Sequence, residues 1–149
     1  MYDQILLASD GTVASTNAES HAIALAAAHD ATLHVLYVVD EDVYSAYSGD
    51  EYVDESEGPE HGLEEIGQET LARIQGDAEA SGVDVTTTLK HGRPAESIIE
   101  TADEADVDLL VLGTKRRPAE YRSLLGSITD KVLRLSERPS VVVKTEVEE

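Results

Sequence analysis

Residues 108–114 read Asp108-Leu109-Leu110-Val111-Leu112-Gly113-Thr114. Four apolar residues stand in a row with no polar alternation. A strand with one wet face alternates; a strand of a parallel sheet, covered by helices on both faces, reads as an unbroken apolar run. The stretch therefore predicts a strand buried on both sides. Gly113 ends it, where a backbone without Cβ can come close to a ligand. A long turn is expected from Gly113 to Leu125. Gly126-Ser127 then opens a helix carrying Ile128, Val132 and Leu135, which stops before Pro139.

The same reading extends outward. Upstream, Pro94 suits the first position of a helix whose buried face is Ile98, Ile99, Ala102 and Ala105. Val83 to Lys90 alternates weakly and predicts a strand near a sheet edge. Leu63, Ile66, Leu71, Ile74 and Ala78 mark a helix ending near Gly82. At the amino end, Gln4 to Ser9 predicts a buried strand and Asp10-Gly11-Thr12 a turn. Val13 to His29 is rich in alanine, with Ala18, Ala22, Leu25 and Ala26 on one helical face; Thr16 and Glu19 fit a capping box if the helix starts there. Thr32 to Val39 is β-branched and aromatic, a second strand. Between Asp40 and Glu60 lie nine acids and no base, which predicts a long loop. Downstream, Ser140 to Lys144 is a fifth strand, and the tail is acidic. Strand and helix alternate four times before the last strand. That order predicts an α/β domain with a mainly parallel sheet, helices on both faces and right-handed crossovers. Ligands of such sheets bind beyond the carboxyl ends of the strands. Those ends are Ser9-Asp10, Val38-Val39-Asp40, Lys90-His91-Gly92 and Leu112-Gly113-Thr114.

Composition narrows the classes. With 149 residues the chain fits one domain. The absence of cysteine excludes disulfides, thiolate metal sites and cysteine nucleophiles, and fits a reducing compartment. No run reaches the roughly 18 apolar residues of a membrane span, so a soluble, cytoplasmic protein without membrane partners is expected. The net charge of −20 implies strong self-repulsion unless salt screens it, which reads as adaptation to a salty cytoplasm. Residues 115–144 reverse the sign, with eight bases against three acids, a local +5. An anionic ligand, a salt-bridging surface or a solvated basic helix face would each account for it. Nucleic acid is not expected, because the rest of the chain would repel a polyanion and salt weakens phosphate contacts.

The chemistry-bearing residues gather after the strand with which the reading began. Free N–H groups and the helix dipole at Gly126-Ser127 favour phosphate, and the Ser127 hydroxyl either adds a donor or caps the helix. The five histidines show no metal-ligand spacing, and the acids of 40–60 lack the regular pattern of a calcium loop. No nucleophile elbow is present. No catalytic residue and no metal site is predicted.

The sequence resembles the universal stress protein family along its whole length. The resemblance rests on Ala8-Ser9-Asp10-Gly11-Thr12, on Gly92-Arg93-Pro94-Ala95-Glu96 and on Ala105 to Thr114. Leu124-Leu125-Gly126-Ser127-Ile128-Thr129-Asp130-Lys131-Val132-Leu133 and Arg138-Pro139-Ser140-Val141-Val142-Val143 complete it. It implies a doubly wound, Rossmann-like α/β/α domain over residues 1–145, with five strands ordered 3-2-1-4-5, four helices and an acidic tail at 146–149. The chain would be an acidic, haloarchaeal-type member. Nucleotide-binding members carry Gly, two residues, Gly, nine residues, then Gly-Ser or Gly-Thr. Here Gly113 and Gly126-Ser127 keep that spacing, but Arg116 stands at the middle glycine and Pro118 stiffens the turn. Arginine there adds bulk, and a penalty if φ must be positive. Either the site no longer binds ATP in the family's manner, or Lys115, Arg116 and Arg117 contact phosphate in place of backbone donors.

By resemblance the nucleotide site comprises Ala8, Ser9, Asp10, Val38, Leu112, Gly113, Thr114, Lys115, Arg116, Gly126, Ser127 and Ile128. The ligand would be ATP or another adenine nucleotide, with Mg2+ on its phosphates, or the site would be empty of cofactor. Asp10 would accept from ribose hydroxyls or help hold the metal; Asp10-Gly11-Thr12 as a plain turn and cap remains the other reading. The expected function is a non-enzymatic stress-response module, and the alternative is a slow ATPase or nucleotide-dependent phosphotransfer enzyme. Val141, Val142 and Val143 of the last strand would pair across a homodimer, since an uncovered apolar edge strand invites a second chain.

Overall fold

The computed structural model describes residues 2–9, 13–40, 59–116 and 127–146. In chain order the elements are β1 (Gln4–Ala8), α1 (Val13–His29), β2 (Thr32–Asp40), α2 (Pro59–Ala80), β3 (Val85–Gly92), α3 (Pro94–Ala105), β4 (Leu109–Arg116), α4 (Ser127–Leu135) and β5 (Ser140–Glu146). The strands form one sheet in the order β3-β2-β1-β4-β5. Every neighbouring pair is parallel. The chain winds outward from β1 through β2 to β3, then returns to the other side of β1 with β4. The strand order thus reverses between β1 and β4, the place where open α/β sheets hold their ligands.

Two apolar layers explain why the central strands do not alternate. Successive side chains of a strand point to opposite faces. Ile5, Leu7, Leu109 and Val111 enter one layer, with Ala18, Ala22 and Ala26 of α1 and Leu71, Ile74 and Ala78 of α2. Leu6, Leu110 and Leu112 enter the other, with Ala95, Ile98 and Ala102 of α3 and Val132 of α4. The three alanines of α1 recur every fourth residue and so share its buried face, with Ile23 and Leu25 packed at the margin of the same layer. Edge strand β3 buries little, as its weak alternation predicted.

Several boundaries differ from the expectation. β4 does not stop at Leu112: residues Gly113 to Arg116 pair with Val143 to Glu146 of β5. The apolar run marks only the part of the strand that lies in the core, while the backbone ladder continues past it. Thr145 and Glu146 therefore belong to β5, not to a tail, and Thr145 is buried and accepts from Asn17 Nδ2 at 2.9 Å. β3 runs two residues later than predicted, to Gly92. Asp40 closes β2, and Pro59 and Glu60 open α2, so the acidic segment between them is shorter than 40–60. α1 begins at Val13, ahead of Thr16, so Thr16 and Glu19 form no capping box. Asp10, Gly11 and Thr12, residues 41–58, the turn 117–126 with Gly126, and 147–149 lie outside the described residues.

Candidate functional site

The carboxyl ends of β1, β2 and β4 open into a cleft of about 350 Å³. Ala8 and Ser9 follow from β1, Val38 and Asp40 from β2, and Leu112 and Gly113 from β4. Pro94 and Ile98 of α3 form one wall, and Ile128 and Thr129 of α4 another. Leu36, Tyr37, Leu63 and Ser15 complete the lining. The lining follows from the register. Leu36 pairs with Ala8 across the β1–β2 ladder, and the Ser9 N–H donates to the Leu36 carbonyl at 3.0 Å, so β1 ends there while β2 runs on beside the cleft to Asp40.

Polar contacts fix the walls. Thr129 Oγ1 donates to the Gly113 carbonyl at 3.2 Å, which ties the first turn of α4 to β4. Lys131 of α4 bridges to Glu96 of α3, and its hydrogen bond holds the Glu96 carboxyl below its usual range. His91 Nε2 lies 2.6 Å from Glu64 Oε1 and links the end of β3 to α2, one residue from Leu63. At the floor, Ser9 Oγ donates to Glu19 Oε2 at 2.8 Å. Arg73 of α2 holds the same carboxylate, NH1 to Oε1 at 2.7 Å and NH2 to Oε2 at 3.3 Å.

Of the residues assigned to this site by resemblance, Ala8, Ser9, Val38, Leu112, Gly113 and Ile128 line one cleft. Thr114 is buried next to it. Lys115 and Arg116 are described only through their backbone, which is extended and paired with Thr145 and Glu146. Among the described residues only Asp30 and Asp106 have positive φ without being glycine. Arg116 therefore carries none of the backbone penalty that a positive φ would impose. Ser127 begins α4 as expected, whereas Asp10 and Gly126 lie outside the described residues. Sequence reasoning missed Asp40, Ile98, Thr129 and the Glu19–Arg73 pair. Asp40 stands at a strand end already named as ligand-facing, the sequence marks Ile98 only as part of the buried face of its helix, and Thr129 follows Ile128 in the first turn of α4. The pair joins two helices far apart in sequence, and no local pattern announces it.

The basic segment resolves partly into ion pairs. Arg138 NH2 contacts Asp103 Oδ1 at 3.1 Å, and Arg134 NH2 contacts Asp130 Oδ2 at 2.9 Å. Lys131–Glu96 joins α4 to α3, Arg138–Asp103 joins the residues after α4 to α3, and Arg134–Asp130 lies within α4. Among the described residues no group of three or more His, Cys, Asp or Glu is placed to hold a metal. No described helix is long and apolar enough to cross a membrane.

Comparison with known proteins agrees with the architecture. The Universal stress protein family profile matches residues 1–144. A universal stress protein of Methanocaldococcus jannaschii is 34% identical over 147 residues, covering 97% of this chain and 83% of the relative. The solved structure of a hypothetical protein, MJ0577, superposes with a TM-score of 0.79 at 25% identity, over 99% of both chains. A universal stress protein from Archaeoglobus fulgidus, solved in complex with dAMP, superposes with a TM-score of 0.65 at 18% identity, covering 96% of this chain and 98% of that one. With its sheet order, its cleft and these matches in place, the chain belongs to the universal stress protein family.

Proposed function

We propose that the protein is a stress-response module that binds an adenine nucleotide across the carboxyl ends of β2, β1 and β4. The observation that carries this reading is the cleft, which combines apolar lining residues with the first turn of α4 beside Gly113. Val38, Ile98, Leu112 and Ile128 offer apolar walls for a purine. The first turn of α4 and Gly113 offer N–H groups and a positive dipole end for phosphate. The dAMP complex of the Archaeoglobus fulgidus relative supports an adenine nucleotide as the ligand class. Asp10 and Gly126-Ser127 would complete the sugar and phosphate contacts, with Mg2+ on the phosphates.

Arg116 sets the affinity in this account. It stands at the position that the resemblance gives to a glycine, and an arginine is bulkier than the glycine it replaces. Binding of ATP by the wild type is accordingly weaker than by Arg116→Gly. Titration calorimetry of MgATP at high salt tests both points. An Arg116→Gly variant binding about tenfold tighter, or about 1.4 kcal/mol, is expected. Equal affinities would refute the role given to Arg116, and no binding by either protein would refute the nucleotide reading.

A further inference from the structure

The inward face of α2 is a stripe of Leu63, Gly67, Leu71, Ile74 and Ala78, spaced three or four residues apart. Leu71, Ile74 and Ala78 are buried in the apolar layer beneath the helix. Gly67 is buried as well, inside a helix of 22 residues. Apart from proline, glycine is the least favourable residue for a helix interior. Two other glycines of α2, Gly62 and Gly76, have open space around them: a Cβ at either would meet nothing within 4 Å. Gly67 differs. A Cβ there would stand 2.7 Å from Tyr37 Cδ1, 3.0 Å from Tyr37 Cε1 and 2.8 Å from Leu89 Cδ1. Non-bonded carbon atoms prefer separations of about 3.5–4.0 Å, so all three contacts are clashes. The Leu89 methyl ends a flexible side chain and can swing aside. The two Tyr37 atoms belong to a rigid ring of a residue only 5% exposed, which its packed surroundings hold in place. A side chain at position 67 therefore moves either the Tyr37 residue or the helix.

Either movement reaches the cleft. Tyr37 lines it from β2, and Leu63, one turn before Gly67, lines it from α2. Leu63 also packs at the margin of the apolar layer, so its place in the cleft follows the height of α2 above the sheet. The same turn reaches β3 through Glu64, whose Oε1 lies 2.6 Å from His91 Nε2. At Gly67 the helix backbone itself faces the Tyr37 ring, with no side chain between them to raise it.

We propose that Gly67 is a positioning residue for the cleft: its missing side chain seats the first half of α2 on Tyr37 and Leu89, and so holds Leu63 and Tyr37 at the width the nucleotide needs. This rests on the nucleotide reading above. The test titrates MgATP by calorimetry at high salt into wild type, Gly67→Ala, Leu63→Ala and the double variant, with Gly62→Ala and Gly76→Ala as controls on the same helix. Gly67→Ala is expected to bind about tenfold more weakly than wild type, and Leu63→Ala about fivefold. Because Gly67 acts through the cleft residues, the double variant should lose about tenfold in all, well short of the roughly fiftyfold that independent effects would give. The two controls should stay within about twofold of wild type. Gly67→Ala/Leu89→Val gives the added methyl room on the β3 side and keeps its clash with the Tyr37 ring, so it carries the same expectation if Gly67→Ala alone fails to fold. A Gly67→Ala protein that binds as wild type does overturns the inference and leaves the nucleotide reading standing. Losses that multiply in the double variant, or controls that lose as much as Gly67→Ala, show a general effect on the helix and also overturn it. A wild type that binds no MgATP overturns both.

Discussion

Asp108 precedes β4 and does more than start a strand. Its Oδ2 accepts the backbone N–H groups of Asp3 and Gln4 at 2.8 and 2.9 Å, while its own N–H donates to the Gln4 carbonyl at 2.7 Å. One residue thereby fastens β4 to β1, the two strands that flank the cleft floor. The two backbone donors, Asp3 first, hold its carboxyl below the ordinary value of 3.8. A carboxyl lowered by folding contributes stability above its unfolded value and loses it as pH falls through its folded value. The melting midpoint of Asp108→Ala should therefore sit below wild type by a constant gap from neutrality to about pH 4–5, near the unfolded carboxylate range. Below that the gap should close. Thermal melts across pH 2–7 check this, and a gap that persists to pH 2 would contradict it. Such roles were not legible in the sequence. Asp108 and Glu19 read as strand-start and cap residues, because their partners Asp3, Gln4 and Arg73 come from distant segments that only the folded chain brings together.

At the scale of elements, the sequence was legible where burial dictates it. The unbroken apolar run of Leu109 to Leu112 announced a doubly covered strand, and both apolar layers receive alternate members of that run. The alanine stripe of α1 and the Pro94 start of α3 were readable for the same reason. Element ends were less so. The last residues of β4 and β5 continue the backbone ladder past the apolar run, and polar Thr114 and Thr145 there leave no apolar signature. Among the described strands β5 is the outermost on its side of the sheet. Val143 is buried and Val141 packs against the same core, so these two side chains serve the monomer. Of the three valines assigned to a dimer contact, Val142 and the strand's outer backbone remain to form it. We propose a two-fold homodimer through this edge. Sedimentation at micromolar concentration in high salt should show a dimer, and Val142→Lys should shift it to monomer. A wild-type monomer, or a variant that stays dimeric, would count against this contact.

The whole molecule carries a net charge of −20. Most of the described ion pairs are exposed, and each such pair contributes little, on the order of 0–1 kcal/mol. Unscreened repulsion among the remaining acids is the larger effect at low salt. The Debye length falls from about 10 Å at 0.1 M to about 3 Å at 1 M, so a protein built for a salty cell gains stability across that range. The melting midpoint should rise by several degrees between 0.1 and 2 M KCl. A midpoint that is flat or falls would argue against a halophilic origin for the acidity.

At that same scale the fold, the strand reversal between β1 and β4 and the cleft above it converge on one claim, that this protein holds an adenine nucleotide there. Titration of MgATP into the wild-type protein in 2 M KCl tests it most directly. The account predicts saturable binding of one nucleotide per chain, tightened about tenfold in Arg116→Gly. Absence of binding by both proteins, each shown to be folded, would contradict it.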